Sequence, residues 1–184
     1  MIESVVSTKQ FFNEALEDLK IDKNRKELLH SIALVIAEEI KQNKLINLNF
    51  ICTHNSRRSQ LAQVWGSYAA NYFKFSQVNS FSGGTAVTSF FRNTVKTLQE
   101  VGFNFQLVTF SHQNPQYSIS YKNCINPIIG FSKLYDDSHN KKPYIAITTC
   151  SNADENCPFI PEATHRFHVP FSDPKMYDYT INQS

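Results

Sequence analysis

Apolar residues recur with two different periods along the chain. Phe11, Phe12, Ala15, Leu16 and Leu19 fall at helical spacing. Leu28, Leu29, Ile32, Ala33, Val35, Ile36 and Ile40 do so again, and Asp22-Lys-Asn separates the two segments. The period then shortens. Ile46-Asn-Leu-Asn-Phe-Ile51 reads as a strand that runs straight into Cys52. Leu61, Val64, Trp65, Tyr68 and Tyr72 mark an amphipathic helix, and Val78 to Ser82 a second strand, stopped by Gly83-Gly84. Phe91, Val95, Leu98 and Val101 make another helix, with Gly102 at its C-cap. Residues 117–122 and 125–131 read as short strands around Asn123-Cys124, an inserted hairpin. Tyr144 to Thr149 is a buried strand ending at a cysteine, and Arg166 to Phe171 the last strand.

Strands that alternate with helices imply an α/β fold with a parallel sheet covered on both faces. Ligands bind such sheets beyond the carboxyl ends of the strands. Cys52, Cys150 and the turn Phe171-Ser-Asp173 all follow expected strands, so all three are expected at that edge.

Composition narrows the class. The 184 residues suffice for one α/β domain with a sizeable core. A net charge of +2 suggests no large nucleic-acid footprint. Met1-Ile-Glu-Ser opens without a basic stretch and apolar run, so no signal peptide is expected. No apolar run reaches the length of a membrane span, so no membrane partner is expected. Four cysteines, Cys52, Cys124, Cys150 and Cys157, are too few for a secreted disulfide scaffold. A reducing cytoplasm suits them.

The segment Cys52-Thr-His-Asn-Ser-Arg-Arg58-Ser59 has the form C-x5-R between a strand and a helix. A loop there turns successive backbone N–H groups inward, and the helix adds its positive end. Thr53, His54, Asn55, Ser56, Arg57 and Arg58 would thus cradle a tetrahedral oxyanion. Arg58 offers a planar fork to two of its oxygens, whereas Arg57 reads as a solvated side chain. The same field favours a Cys52 thiolate, since such sites lower a cysteine pKa from about 8.5 to roughly 3.5–7.5. Ser59 can donate a hydrogen bond to the sulfur. The bland alternative is a buried cysteine that happens to precede an arginine; the flanking strand and helix count against it.

Two further features admit competing readings. Asp173 precedes Pro174 on a constrained turn, as a general acid or as an ordinary turn aspartate, and Tyr177 either lines the mouth or packs. Cys150 and Cys157 follow the strongest central strand. They could be redox-active, inert, or part of a zinc set with His165 and His168, although C-x6-C-x7-H-x2-H matches no common finger. Cys124 reads as structural.

From Cys52 to Trp65, CTHNSRRSQLAQVW resembles the signature of the low-molecular-weight tyrosine phosphatases, and more closely that of the thioredoxin-coupled arsenate reductases. Ser82-Gly-Gly-Thr85 and Ser172-Asp173-Pro174 are similar to two further segments of that superfamily. The resemblance spans about Asn47 to Pro174 and is poor between Leu107 and Lys142. His54 and Arg57 stand where the pattern has glycine or another small residue, often cysteine, and His54 lacks glycine's freedom at positive φ.

The resemblance implies a short parallel four-stranded sheet with helices on both faces, residues 45–184, preceded by a helical extension, residues 1–44. It also implies a function: arsenate reduction by a relay. Cys150 attacks the Cys52 sulfur, arsenite leaves, Cys157 resolves the disulfide, and thioredoxin regenerates the thiols. Ser151 to Asn156 would move to let the new disulfide swing outward. The catalytic set is then Cys52, Arg58, Ser59, Asp173, Cys150 and Cys157. The alternative is a phosphatase that hydrolyses phosphotyrosine or aryl phosphates through a Cys52 phosphocysteine. A third reading is a non-catalytic module whose loop merely binds anions. No cofactor is implied except a potassium ion behind the loop, with Asn55 and Ser82 in ligand positions and Gln63 where glutamate is usual. Members of this superfamily end with a long helix after the Asp-Pro loop. Only ten residues follow Pro174 here, so one sheet face is expected to be uncovered unless the N-terminal helices or a partner fill that place; a shortened form of the chain is the other reading.

Overall fold

The computed structural model describes residues 7–42, 44–156 and 159–180. In chain order, helices α1 (Thr8–Asp18) and α2 (Lys23–Lys41) lead into strand β1 (Ile46–Cys52), helix α3 (Arg58–Tyr72) and strand β2 (Val78–Gly84). Helix α4 (Arg92–Glu100) and strands β3 (Asn104–Thr109), β4 (Gln116–Ser120) and β5 (Ile128–Gly130) follow. Strand β6 (Tyr144–Thr148), helix α5 (Ser151–Asn156), strand β7 (Ala163–His168) and a 3-10 turn at Pro174–Tyr177 complete it.

The first two helices form where they do because each has a side-chain cap. Ser7 Oγ accepts from the Gln10 N–H and Asp22 Oδ1 from the Arg25 N–H. Asp22 therefore separates the helices by starting the second.

Strands β1, β2, β6 and β7 make an all-parallel sheet in the order β2-β1-β6-β7, with helices on both faces. Register sorts its residues. Leu48 pairs with Ile145 and Phe50 with Ile147, so these apolar side chains share one face. There Ile46, Leu48, Ile145, Ile147 and Val169 cluster with Ile32 of α2, flanked by Leu28, Val35, Ile36 and Ile40. Burying one such side chain stabilises by about 1.5–3 kcal/mol. Helix α2 thus covers this face of the sheet. On the opposite face Ile51, Tyr144 and Ala146 pack with Ala153 of α5, Ile160, Cys52 and Cys150.

Helix α1 docks on α3. Phe12 meets the rings of Trp65, Tyr68 and Tyr72 at 6.0, 5.1 and 5.0 Å, and Tyr72 Oη donates to Asn13 Oδ1. A third core of Val64, Tyr68, Phe90, Leu98, Phe103, Ile119 and Ile128 joins α3 and α4 to a second, antiparallel sheet, β3-β4-β5.

Several expectations need adjustment. The hairpin is present as β4 paired with β5, but it has a third strand, β3, to which the sequence assigns no element. Gly83 and Gly84 do not stop β2; they are its last two residues. A Cβ on Gly83 would lie 2.3 Å from Tyr135 Cα, and one on Gly84 2.8 Å from Asn55 N, so both positions exclude a side chain. The last strand lies earlier, at Ala163–His168, although Val169 and Phe171 still donate N–H bonds to Thr148 and Thr149. Among the described residues, no helix is long and apolar enough to cross a membrane.

Candidate active site

Strand β1 delivers Cys52 as its last residue, 4% exposed, and the chain turns through five residues into α3, which starts at Arg58. The loop's carbonyls are held from outside. Cys52 O and Thr53 O accept the N–H groups of Thr85 and Ala86, and Ser56 O that of Phe91. His54 O accepts Ser132 Oγ and Thr88 Oγ1, and Asn55 O accepts Gln60 Nε2. With the carbonyls turned outward, the N–H groups of such a turn face inward, next to the positive end of a 15-residue helix.

Asn55 fixes the bend. It carries the loop's positive φ, 45°, a conformation that asparagine tolerates, and His54 does not need it. The Asn55 side chain is fully buried. Its Oδ1 accepts the Lys133 N–H at 2.9 Å and Gln60 Nε2 at 3.2 Å, and its Nδ2 donates to Ser59 Oγ at 2.8 Å. Since Ser59 Oγ accepts there, its own hydrogen is left to donate to Cys52 Sγ, 3.0 Å away.

Arg58 and Asp173 meet across the mouth. Arg58 donates to Asp173 Oδ2 at 2.8 Å and to Phe171 O at 3.1 Å. Asp173 Oδ1 caps the 3-10 turn by accepting the Lys175 N–H. Helix α2 braces this loop from behind: Arg25 donates to Pro170 O at 2.7 Å and lies over the Phe171 ring.

Arg57 is not a solvated side chain. Its guanidinium sits 3.9 Å over the Phe91 ring and pairs with Asp178 at 2.5 Å, at 14% side-chain exposure. An open pocket of about 330 Å³ is lined by Cys52, Arg57, Arg58, Asp173, Thr88 and Lys175, with His54 and Ser56 from the loop. Tyr177 is not among the lining residues. Thr53, whose Oγ1 lies 3.5 Å from Cys150 Sγ, faces the neighbouring thiol instead.

Cys150 stands two residues beyond β6, the strand next to β1. It is 3% exposed and shares one buried cluster with Cys52. The following segment, expected to be mobile, is helix α5. Asp154 ties it down by accepting from Thr148 Oγ1 at 2.6 Å and from the Arg166 guanidinium at 2.5 Å. Cys157 lies outside the described residues. His165 and His168 are three residues apart on β7 and so point to opposite faces, which removes the zinc reading that joined them. Among the described residues no cluster of three or more His, Cys, Asp or Glu could hold a metal.

No family model matches the chain. Curated relatives do. Over 126 residues it is 31% identical to the arsenate reductase of Brevibacillus brevis, covering 68% of this chain and 74% of that protein. Over 125 residues it is 28% identical to an arsenate reductase of Bacillus cereus strain Q1 and to arsenate reductase 2 of a Staphylococcus epidermidis strain. These alignments cover 68% of the chain and 74% and 76% of the relatives. The chain belongs to the arsenate reductase family. It is an enzyme of cysteine-dependent type.

Within this family member the expected potassium site is occupied by protein atoms. Ser82 Oγ donates to Gln63 Oε1 at 2.5 Å, and Asn55 Oδ1 is already saturated as described. Lys133, whose backbone N–H binds Asn55 Oδ1, is 2% exposed, and its ammonium has no hydrogen-bond partner among the described residues. A buried ammonium repels a second cation, so these residues do not fit a potassium ion. Burial lowers the Lys133 pKa to about 8, with Asp137 opposing the shift. Lys133, Thr88, Lys175 and Asp178 escape the sequence reading because each lies in a segment without a motif. Only the anion loop, once folded, shows what they surround.

Proposed function

We propose that this protein reduces arsenate to arsenite by a three-cysteine relay regenerated by thioredoxin, as a low-molecular-weight phosphatase-like arsenate reductase. The burial of Cys52 and Cys150 in one cluster, at the ends of adjacent parallel strands, carries this reading. The Cys52 thiolate attacks arsenic(V), forming a sulfur–arsenic bond while a hydroxyl leaves as water with a proton from Asp173. Arg58 and the loop N–H groups hold the remaining oxygens. The Cys150 thiolate then attacks Cys52 Sγ. A disulfide forms, the sulfur–arsenic bond breaks, and its electron pair reduces arsenic(V) to arsenic(III). Cys157 displaces Cys52 from Cys150, and a dithiol such as thioredoxin reduces the Cys150–Cys157 disulfide. A reducing compartment such as the cytoplasm suits this cycle.

One turnover with arsenate should leave a Cys150–Cys157 disulfide, read by peptide mass mapping after thiol blocking. Cys157→Ser should stall with Cys52 bound to Cys150. Normal turnover by Cys150→Ser/Cys157→Ser with thioredoxin would exclude the relay.

Asp173 at the pocket mouth favours a second reading, a phosphatase acting on phosphotyrosine or aryl phosphates through a Cys52 phosphocysteine. Assaying one preparation with arsenate plus thioredoxin and with an aryl phosphate separates the two.

A further inference from the structure

Among the described residues, five buried side-chain polar atoms have no hydrogen-bond partner, and Lys133 Nζ is the one cationic group of the five. Among the described residues its ammonium makes no ion pair, and Nζ lies 4.7 Å from the centroid of the Phe131 ring. Asp137 acts on it only at longer range and is itself engaged by His139 at 2.8 Å. An isolated buried ammonium is costly, and such groups persist where their charge is used.

The backbone of Lys133 is part of the anion loop's support. Its N–H donates to Asn55 Oδ1 and its carbonyl accepts from Gly84 N–H. Its side chain, with Gln63, lines a cavity of about 460 Å³ on the β2 side of the loop, away from the pocket that holds Cys52. Gln63 is neutral and already bonded to Ser82, so no carboxylate cancels the charge at that point.

We infer that Lys133 is a positioning residue that supplies, as a covalently attached ammonium, the positive charge behind the oxyanion loop that a bound potassium ion would otherwise provide. The inference rests on the oxyanion-loop reading of Cys52–Arg58. A fixed cation there strengthens binding of a dianion in the loop through its field alone. Even near its lowered pKa of about 8, the group is largely protonated at neutral pH.

Calorimetry with inorganic phosphate tests this. The wild type is expected to bind phosphate equally in potassium chloride and choline chloride at matched ionic strength. Lys133→Ala should bind roughly tenfold more weakly in choline chloride, the effect of about one unit charge at moderate distance. Potassium or ammonium chloride should restore much of that loss, since either ion can enter the vacated space from the cavity. Lys133→Met fills the space without charge and should show the loss with no recovery in either salt. Unchanged affinity in both variants, or a potassium-dependent wild type, overturns the inference. If the alanine variant does not fold, the methionine variant and the wild-type salt comparison decide by the same outcomes. A wild type that binds phosphate in no salt would overturn the oxyanion-loop reading, and this inference with it.

Discussion

At the scale of single residues, the two adjacent arginines illustrate how identical side chains acquire different work. Arg58 opens α3 and reaches the Asp173 carboxylate, whereas Arg57 is spent on Phe91 and Asp178. Arg58→Lys keeps the charge and loses the fork. It should weaken phosphate inhibition roughly tenfold or more. Arg57→Ala should act on stability instead, because it releases the turn that bears Asp178. A double-mutant cycle of Arg57→Ala with Asp178→Ala should show coupling of about 0.5–3 kcal/mol in denaturant melts. Additive losses would mean that the pair is incidental. Cys52→Ser should leave less than about a hundredth of any turnover. The sequence made Cys52, Arg58 and Ser59 visible because their spacing and their place between strand and helix are local. The partners of Arg57 were invisible because Phe91 and Asp178 reach it only through the tertiary fold.

At the scale of elements, α2 and α5 do most to shape the site. Ile32 is the buried centre of α2 on the sheet, so Ile32→Ala should cost about 2–5 kcal/mol in a denaturant melt. A loss below half a kcal/mol would mean that the helix contributes little to this face. Helix α5 has a different task, because a relay through Cys150 requires its segment to open, and the Arg166–Asp154 pair resists that. In a Cys52→Ser background, Arg166→Ala should raise the rate of Cys150 alkylation several-fold, followed by mass spectrometry. An unchanged rate would show that α5 is not what shields the thiol. Helical and strand periodicity announced α1 to α4, β1 and β6, where one face is apolar. Strand β3 gave no such signal, since most of its residues are exposed and its pairing depends on β4. Helix α5 is too short and polar to register, and depends on Ala153 and Asp154 finding the sheet.

At the scale of the whole molecule, the charge on Lys133 links stability to pH. Its folded pKa of about 8 lies below the ordinary 10.5, so between these values the unfolded chain binds more protons. Stability from this group therefore rises with pH across that window, and its burial is a penalty below it. The shift corresponds to a penalty on the order of 3 kcal/mol near pH 7. Lys133→Met should be more stable than wild type near pH 7, and its advantage should shrink as pH rises toward about 10.5. Guanidinium titrations at both ends check this; a constant advantage would assign the gain to packing alone.

The placement of α2 also bears on how the chain comes to be folded. Arg25 and Pro170 touch although 145 residues separate them. During synthesis α2 leaves the ribosome before the strands it packs on, with Leu28, Ile32, Val35, Ile36 and Ile40 turned toward a sheet that does not yet exist. Its partners on β6 and β7 follow it by roughly a hundred residues in the chain. At about 5–20 residues per second, that apolar stripe waits several seconds at least for its cover. Contacts so distant in sequence also slow closure of the finished chain. Folding of this enzyme should therefore depend on holding one sticky helix apart from its neighbours until β6 and β7 arrive.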